Sequence, residues 1–131
     1  MKIDRTYAIY FSPTYTSKKS AVSIARGLEG DLSEIDLTLK DSIPEIVFSR
    51  HDIVVFGFPV YAGRILPEAL DRLNSFHGNH TPCVITVTYG NRHYDDALLE
   101  LFNNIKKRGF IPIAGAALVG EHTYGHIQVG R

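Results

Sequence analysis

Four short hydroxyl side chains stand close together in the segment YFSPTYTSKKSA, residues 10–21. They are Ser12, Thr14, Thr16 and Ser17. An apolar run precedes them and a helical pattern follows, so they border a helix N-terminus, where backbone N–H groups lack partners and carry about half a positive charge. Hydroxyl and N–H donors together can enclose a phosphate without a buried cation. The segment predicts a phosphate-binding loop, although simple helix capping would need only one of these hydroxyls.

Two later loops carry aromatic rings. In PVYAGR, residues 59–64, Tyr61 offers a flat amphipathic ring and Gly63 permits close backbone approach. In TYGNRHYDDAL the rings are Tyr89 and Tyr94, separated by turn residues. Each tyrosine alone is typical of an ordinary surface position. Together with the hydroxyl loop, they favour a planar ligand that bears a phosphate.

Other chemistries find little support in the sequence. The single Cys83 cannot form an internal disulfide, and its apolar setting, CVITV, predicts a small buried hydrophobe. The pairs His77/His80 and His122/His126 have metal-like spacing, but Gly125 interrupts the second pair and no carboxylate pattern supports the first. Surface histidines are the favoured interpretation. The Walker A and G-x-G-x-x-G spacings are both absent.

Five apolar segments predict the strands that would position these loops. They are residues 7–11, 35–40, 53–58, 83–88 and 111–119. The second segment alternates with polar residues and is typical of a half-exposed edge strand. Pro59 cannot donate to a ladder and is expected to close the third strand. Pro44 is expected to open a short helix before it.

Three helical stripes separate the strands. The first consists of Ala21, Ile24, Ala25 and Leu28. The second consists of Leu66, Ala69, Leu70 and Leu73. The third consists of Leu98, Leu101, Phe102 and Ile105. Pro67 suits the first turn of the second helix, and Gly109 is expected to end the third.

Alternation of strands and helices predicts right-handed βαβ units and an α/β fold with a doubly wound parallel sheet. Five strands in a chain of 131 residues fit the flavodoxin-like order 2-1-3-4-5, as one domain over residues 1–131. Residues 120–131 show no helical stripe, so the last helix of that architecture is expected to be lacking. A partner subunit or a neighbouring domain could then cover the exposed sheet face.

Composition agrees with a globular chain. Hydrophobic residues make up 44%, and 14 basic residues balance 14 acidic ones. Zero net charge removes the bulk electrostatic argument for nucleic acid or an anionic membrane, and leaves room for a local patch. The N-terminus lacks signal-peptide character and no apolar run is long enough to span a bilayer. The expected setting is a soluble cytoplasmic one.

Three segments, YFSPTYTSKKSA, FGFPVYAGRILPEAL and YGNRHYDDALLEL, resemble the flavodoxin-like domain of the prokaryotic iron–sulfur flavoproteins. In that family a ferredoxin-like domain with cysteine-ligated clusters follows this domain. The resemblance covers essentially the whole chain, including the terminal GEHTYGHIQVGR. It implies FMN as cofactor, with a redox partner protein or an iron–sulfur domain as electron partner.

The resemblance also assigns cofactor-binding residues. Those implied for the phosphate are Ser12, Thr14, Tyr15, Thr16 and Ser17. Those implied for the first loop at the isoalloxazine ring are Pro59, Val60, Tyr61, Ala62 and Gly63. Those implied for the second are Thr88, Tyr89, Gly90, Asn91, Arg92 and Tyr94. Tyr61 and Tyr94 are the candidates for direct ring contacts.

The chain departs from the family in two places. Tyr15 stands where flavodoxin phosphate loops usually carry Gly, and a single cysteine cannot ligate a four-iron cluster. The chain is therefore expected to be either a fragment or a stand-alone electron carrier. An NAD(P)H-dependent flavin oxidoreductase of the quinone-reductase type, and an interaction module without cofactor, remain alternatives. A receiver domain and a low-molecular-weight phosphatase lack their required acidic and cysteine positions.

Overall fold

Five parallel strands form the main sheet of the protein. The computed structural model describes residues 2–13, 16–39, 43–90 and 95–119. Along the chain the elements are β1 (Arg5–Tyr10), α1 (Thr16–Arg26), β2 (Asp31–Asp36), β3 (Ile46–Val47), β4 (Asp52–Val60), α2 (Pro67–Arg72), β5 (Phe76–His77), β6 (Thr81–Tyr89), α3 (Asp95–Lys107) and β7 (Phe110–Val119). The spatial order β2-β1-β4-β6-β7 is the predicted order 2-1-3-4-5 of the five main strands. The flavodoxin-like fold class is thereby confirmed.

The central strands β4 and β6 are buried on both faces. All nine residues of β6 are buried, and Val54, Val55 and Phe56 at the middle of β4 are fully inaccessible. Continuous apolar runs are typical of parallel strands that have helices on both sides. One core cluster lies on the side of α2 and α3, and a second, smaller one packs beneath α1.

Helix α1 lies unusually close to the sheet at Gly57. A Cβ atom placed on Gly57 would meet the Ser17 carbonyl oxygen at 2.7 Å and the Ala21 Cβ at 2.8 Å. Only glycine permits this approach without a shift of the helix backbone. The residue thus sets how near the first turn of α1 stands to the carboxyl ends of the strands.

Strand β4 continues through Pro59 to Val60, so the prediction that Pro59 closes it was wrong. The Gly57 carbonyl accepts the Phe11 N–H at 3.0 Å and therefore faces β1. Residue 59 faces the same side because strands repeat every two residues. Strand β1 ends at Tyr10, so no ladder bond is lost where Pro59 lacks its N–H.

The second strand lies at the sheet edge as predicted, but it spans Asp31–Asp36 rather than residues 35–40. It ends at Asp36 because the Asp36 carboxylate accepts the Thr38 backbone N–H at 2.8 Å, which turns the chain. Beyond the turn Leu37 is buried and Leu39 is 75% exposed, so the sequence alternation does not continue as a strand.

The helix expected at Pro44 is also a wrong prediction. Residues 43–51 contain no helix, and Ile46–Val47 pair instead with Phe76–His77 as a separate two-stranded parallel sheet. Phe48 extends this pairing by donating its N–H to the His77 carbonyl at 2.8 Å. The Phe48 ring is fully buried against Phe76 and Phe110. Burial of the Phe48 ring therefore favours the extended conformation of this segment over the helix that Pro44 suggested.

The last strand forms the other edge of the sheet among the described strands. Strand β7 contains no charged residue, and Ile111 and Ile113 are 47% and 59% exposed. Its register to β6 shifts between Cys83 and Val84, where Ile113 is an extra residue. Residues 120–131, where the lack of a last helix was predicted, lie outside the described residues. No helix in the described part is long and apolar enough to cross a membrane.

Candidate functional site

The described residues of the predicted site lie where β1, β4 and β6 end. These strands are neighbours and parallel, so their carboxyl ends lie along one edge of the sheet. Ligands of open α/β sheets bind at this edge, at the point where the strand order reverses. The described members of the predicted site are Ser12, Thr16, Ser17, Pro59, Val60, Tyr61, Ala62, Gly63, Thr88, Tyr89 and Gly90. The predicted Thr14, Tyr15, Asn91, Arg92 and Tyr94 lie outside the described residues.

A hydrogen bond between Ser17 and Thr88 joins two of the predicted loops. The Ser17 Oγ and Thr88 Oγ1 atoms are 2.7 Å apart, and the two residues are only 2% and 4% exposed. One hydroxyl donates and the other accepts, so neither is left unpaired in the core. The bond fixes the first turn of α1 on the end of β6.

Ser12 occupies the N-terminus of α1 from the preceding segment. Its Oγ accepts the Lys18 backbone N–H at 3.0 Å, and its own N–H donates to Thr38 Oγ1 at 2.8 Å. Ser12 therefore performs the capping role that the sequence left open as an alternative to phosphate binding. The hydroxyl accepts in this bond, and its proton remains available to a further acceptor.

Arg72 supports the same region from α2, a role that the sequence did not reveal. Its Nη1 donates to the carbonyl oxygens of Leu37 and Thr38 at 2.7 and 2.9 Å. Its guanidinium also lies 5.6 Å from the centre of the Phe11 ring, within cation–π range. Arg72 thus links the segments that follow β1 and β2. No local pattern signals this, because the bonded residues are 34 and 35 positions away along the chain.

The loop after β4 is a tight hairpin. Tyr61 and Arg64 exchange two backbone hydrogen bonds of 2.8 and 2.9 Å, while Ala62 and Gly63 have φ angles of 49° and 79°. Two consecutive positive φ angles define a type I′ turn, which glycine suits and alanine does not. Ala62 holds this conformation at a cost of about 1 kcal/mol. The hairpin presents the Tyr61 ring, 39% exposed, at the edge of the site.

The hairpin also contacts α3. Arg64 Nη2 lies 3.5 Å from Glu100 Oε2, and the two side chains are 72% and 35% exposed. An ion pair this exposed contributes little to stability. The contact places the Arg64 side chain of the hairpin beside the third helix.

Tyr89 differs from its expected position. It was predicted in the loop after the fourth strand, but it is the last residue of β6 and only 6% exposed within the larger core cluster. The apolar run before it simply continues by one residue, and burial of its ring favours the strand. Gly90, which follows it, is open enough that an added Cβ would meet nothing within 4 Å. The surface of the site at β6 therefore begins at Gly90.

The charge at the start of α1 is positive throughout. Its first turn contains no carboxylate, whereas Lys18 and Lys19 stand there. Together with the N-terminal N–H groups and the hydroxyls of Ser12 and Thr16, they form a donor set that fits a phosphate. The described residues contain no group of three His, Cys, Asp or Glu side chains able to hold a metal ion.

Cys83 lies away from this edge as a buried hydrophobe, as predicted. It is fully inaccessible, and burial raises the pKa of its thiol to about 12. The reactive form of cysteine is the thiolate, which this environment disfavours. Cys83 therefore takes no part in the chemistry of the site.

Comparisons with known proteins identify the architecture. No protein-family description matches the chain, and no curated protein matches it. Among solved structures, a flavodoxin from the domain Archaea superposes with a TM-score of 0.64 at 15% identity, covering 86% of this chain and 82% of that one. A flavoprotein in complex with FMN from Lactobacillus acidophilus gives 0.57 at 19% identity, with 87% and 93% covered. Likeness at this identity defines the fold: the chain has the flavodoxin-like arrangement of sheet and helices.

Proposed function

We propose that this protein binds FMN at the carboxyl ends of β1, β4 and β6 and acts as an electron carrier. The observation that carries the proposal is the start of α1, where N–H groups, hydroxyls and two lysines stand together without a carboxylate. Ser12 and the Ser17–Thr88 bond hold this donor set at the edge of the sheet. The solved FMN complex of similar fold supports the choice of ligand.

Different residues would hold the two ends of the cofactor. Ser12, Thr16 and the N–H groups of the first turn of α1 would donate to the phosphate. The exposed ring of Tyr61 would lie against the isoalloxazine. Backbone N–H groups of the hairpin and of the segment after Thr88 would bond its polar edge, and such bonds tune a flavin's potential.

Bound FMN supplies reversible electron transfer at neutral pH. The protein's part is to orient the ring and leave one edge accessible, which a carrier requires and a closed substrate cavity does not provide. Tyr61 on a hairpin tip, rather than in the core, fits this requirement. The electron partner proposed from the sequence is a separate redox protein or an iron–sulfur domain.

The proposal is tested by titrating purified protein with FMN and following flavin fluorescence. Quenching with a one-to-one end point is expected, and fluorescence that stays unquenched would refute the proposal. NADPH oxidation by the loaded protein without any added reductase would instead favour the oxidoreductase alternative.

A double variant and a matched control then test whether this loop holds the phosphate. The double variant Thr14→Ala/Thr16→Ala is expected to weaken FMN binding by about 1–3 kcal/mol through lost charge-assisted hydrogen bonds. Riboflavin lacks the phosphate, so its affinity should stay unchanged. Ser23→Ala removes an exposed hydroxyl from the same helix and serves as the matched control. Equal losses for FMN and riboflavin would show that the loop does not hold the phosphate.

A further inference from the structure

A basic groove runs between the outer face of α1 and strand β2. Its volume is about 200 Å³, and its lining residues are Lys18, Lys19, Val22, Ser23, Arg26 and Glu34. Three of these residues are cations and one is a carboxylate. The whole chain balances 14 basic against 14 acidic residues, so the groove concentrates positive charge that the average composition hides.

The cations follow the helix at regular spacing. Lys19, Ser23 and Arg26 stand at i, i+4 and i+7, which places them along one face of α1. Seven residues of helix separate Lys19 from Arg26 by about 10 Å. Both side chains belong to exposed residues. Two positive charges are therefore offered along a line at a defined distance.

The lysines occupy positions that helix electrostatics disfavour. The N-terminal turn carries partial positive charge, and each cation there lowers helix stability by about 0.3–1 kcal/mol. Helix α1 places Lys18 and Lys19 in this turn and has no acidic residue anywhere along its length. Helix stability alone does not explain this pattern, whereas recognition of an anion does.

The opposite wall of the groove is fixed in place. The Tyr10 hydroxyl donates to Glu34 Oε1 at 3.1 Å, and Lys18 Nζ lies 5.8 Å from the centre of the Tyr10 ring. Tyr10 is only 3% exposed, so this buried residue contacts both Lys18 on α1 and Glu34 on β2 from beneath the groove. Glu34 consequently presents an acceptor at a constant position facing the cations of α1.

We propose that this groove docks an extended acidic segment of a partner protein, with carboxylates three residues apart. An extended segment in the polyproline II conformation makes one turn in three residues and rises about 9 Å, so carboxylates three residues apart lie on one face at nearly the helical rise between Lys19 and Arg26. One carboxylate pairs with Lys19 and the other with Arg26. A backbone N–H of the segment, which an extended chain leaves available, donates to Glu34.

Glu34 makes the groove selective for a protein segment. A DNA backbone brings phosphates but no hydrogen-bond donor along its charged edge, so Glu34 would repel it. A single phosphate or carboxylate reaches one end of the groove only. A peptide offers both the spaced anions and the N–H donors that these walls require.

The docked segment would lie beside the candidate cofactor site, since α1 begins at that edge of the sheet. The groove shares Lys18 and Lys19 with the donor set at the start of α1, but it involves none of the hairpin and strand-end residues assigned to the flavin ring. Peptide binding is therefore measured first without FMN, so that its failure is distinguishable from failure of the proposed function.

The test uses a fluorescein-labelled peptide that carries two glutamates three residues apart in an uncharged background. Its binding to the full chain is followed by fluorescence anisotropy at low salt, with and without FMN. The groove variant is Lys19→Gln/Arg26→Gln. The matched control, Lys106→Gln/Lys107→Gln, removes two positive charges from α3.

The groove variant is expected to bind the peptide about four- to twenty-fivefold more weakly, since each of the two exposed ion pairs accounts for about a two- to fivefold change. The control should bind as the unmodified protein does. Affinity should fall as ionic strength rises toward 0.5 M, where charges are screened within about 5 Å. A peptide with adjacent glutamates should bind more weakly than the spaced one.

Several outcomes would overturn the proposal. One is no binding of the spaced peptide at low salt. Another is an equal loss in the α3 control, which would reduce the effect to net charge. Tighter binding of a single-stranded oligonucleotide or of anionic lipid vesicles than of the peptide would assign the groove to another class of partner.

Discussion

The hydrogen bond between Ser17 and Thr88 can be tested by a double-mutant cycle. Ser17→Ala and Thr88→Val each remove one hydroxyl and leave the other buried without its partner. The double variant removes both. Valine keeps the shape of threonine, so the cycle changes polarity with little change of packing volume.

The magnitude follows from burial. An unpaired buried hydroxyl lowers the free energy of unfolding by about 1–3 kcal/mol, whereas removal of both partners can be nearly neutral. A chain of 131 residues unfolds with an entropy of about 0.28 kcal/mol/K at about 2.1 cal/mol/K per residue. Each single variant should therefore lower Tm by about 4–11 °C. The double variant should recover most of that loss.

Thermal unfolding followed by circular dichroism, with urea titration as a second measurement, provides the assay. Ser23→Ala, an exposed hydroxyl on the same helix, should change stability by less than about 0.5 kcal/mol. The reasoning is refuted if the two single losses add in the double variant, or if both single variants melt with the unmodified protein. FMN affinity of the refolded double variant then measures separately what these hydroxyls contribute to the cofactor.

Three further predictions concern single residues. Gly57→Ala should lower the free energy of unfolding, measured by urea titration, by about 1–3 kcal/mol and should weaken FMN binding, because the new Cβ would displace the first turn of α1. If neither quantity changes, α1 does not approach Gly57 this closely. Ala62→Gly should raise the free energy of unfolding by about 0.5–1 kcal/mol, because glycine adopts the φ of 49° without strain, and a loss would show that the turn differs. Burial raises the pKa of Cys83 from 9.0 to about 12, so the folded state keeps a proton that the unfolded chain releases above pH 9. The contribution of Cys83 to the free energy of unfolding should therefore be complete below pH 9 and decline between pH 9 and 12, so that stability falls more steeply than in Cys83→Val. Identical pH profiles for the two proteins would contradict this expectation.

The sequence predicts the order of the sheet and the placement of the loops well. A few neighbouring residues indicate each of these elements. Continuous apolar runs indicate the buried strands β4 and β6, and apolar residues at helical spacing indicate α1. Such signals are local, and parallel alternation leaves few topologies to choose from. The prediction that Ser17 and Thr88 belong to one site rests on this topology, and the two side chains are in contact.

Features that depend on distant partners were not predictable in the same way. Pro59 remains in its strand because the neighbouring strand β1 has already ended beside it. The sequence around Pro59 does not show where a neighbouring strand ends. The segment after β2 turns at Asp36 and is held by Arg72, whose hydrogen bonds cross more than thirty residues. The Ser12 cap joins two residues six positions apart in the sequence, and its donor is the backbone N–H of Lys18, which does not depend on the type of residue there.

Strand β7 has a consequence for how copies of this protein can assemble. An uncharged strand at the rim of a sheet invites another chain to add itself by backbone hydrogen bonds. Here Pro112 offers no N–H, and the extra residue Ile113 breaks the regular spacing of the ladder. The rim at Pro112 and Ile113 is therefore a poor template for continuation of the sheet. A dimer formed at this part of the rim would have to use side-chain packing on a face, with Ile111 and Ile113 as candidates for burial, and not a shared sheet.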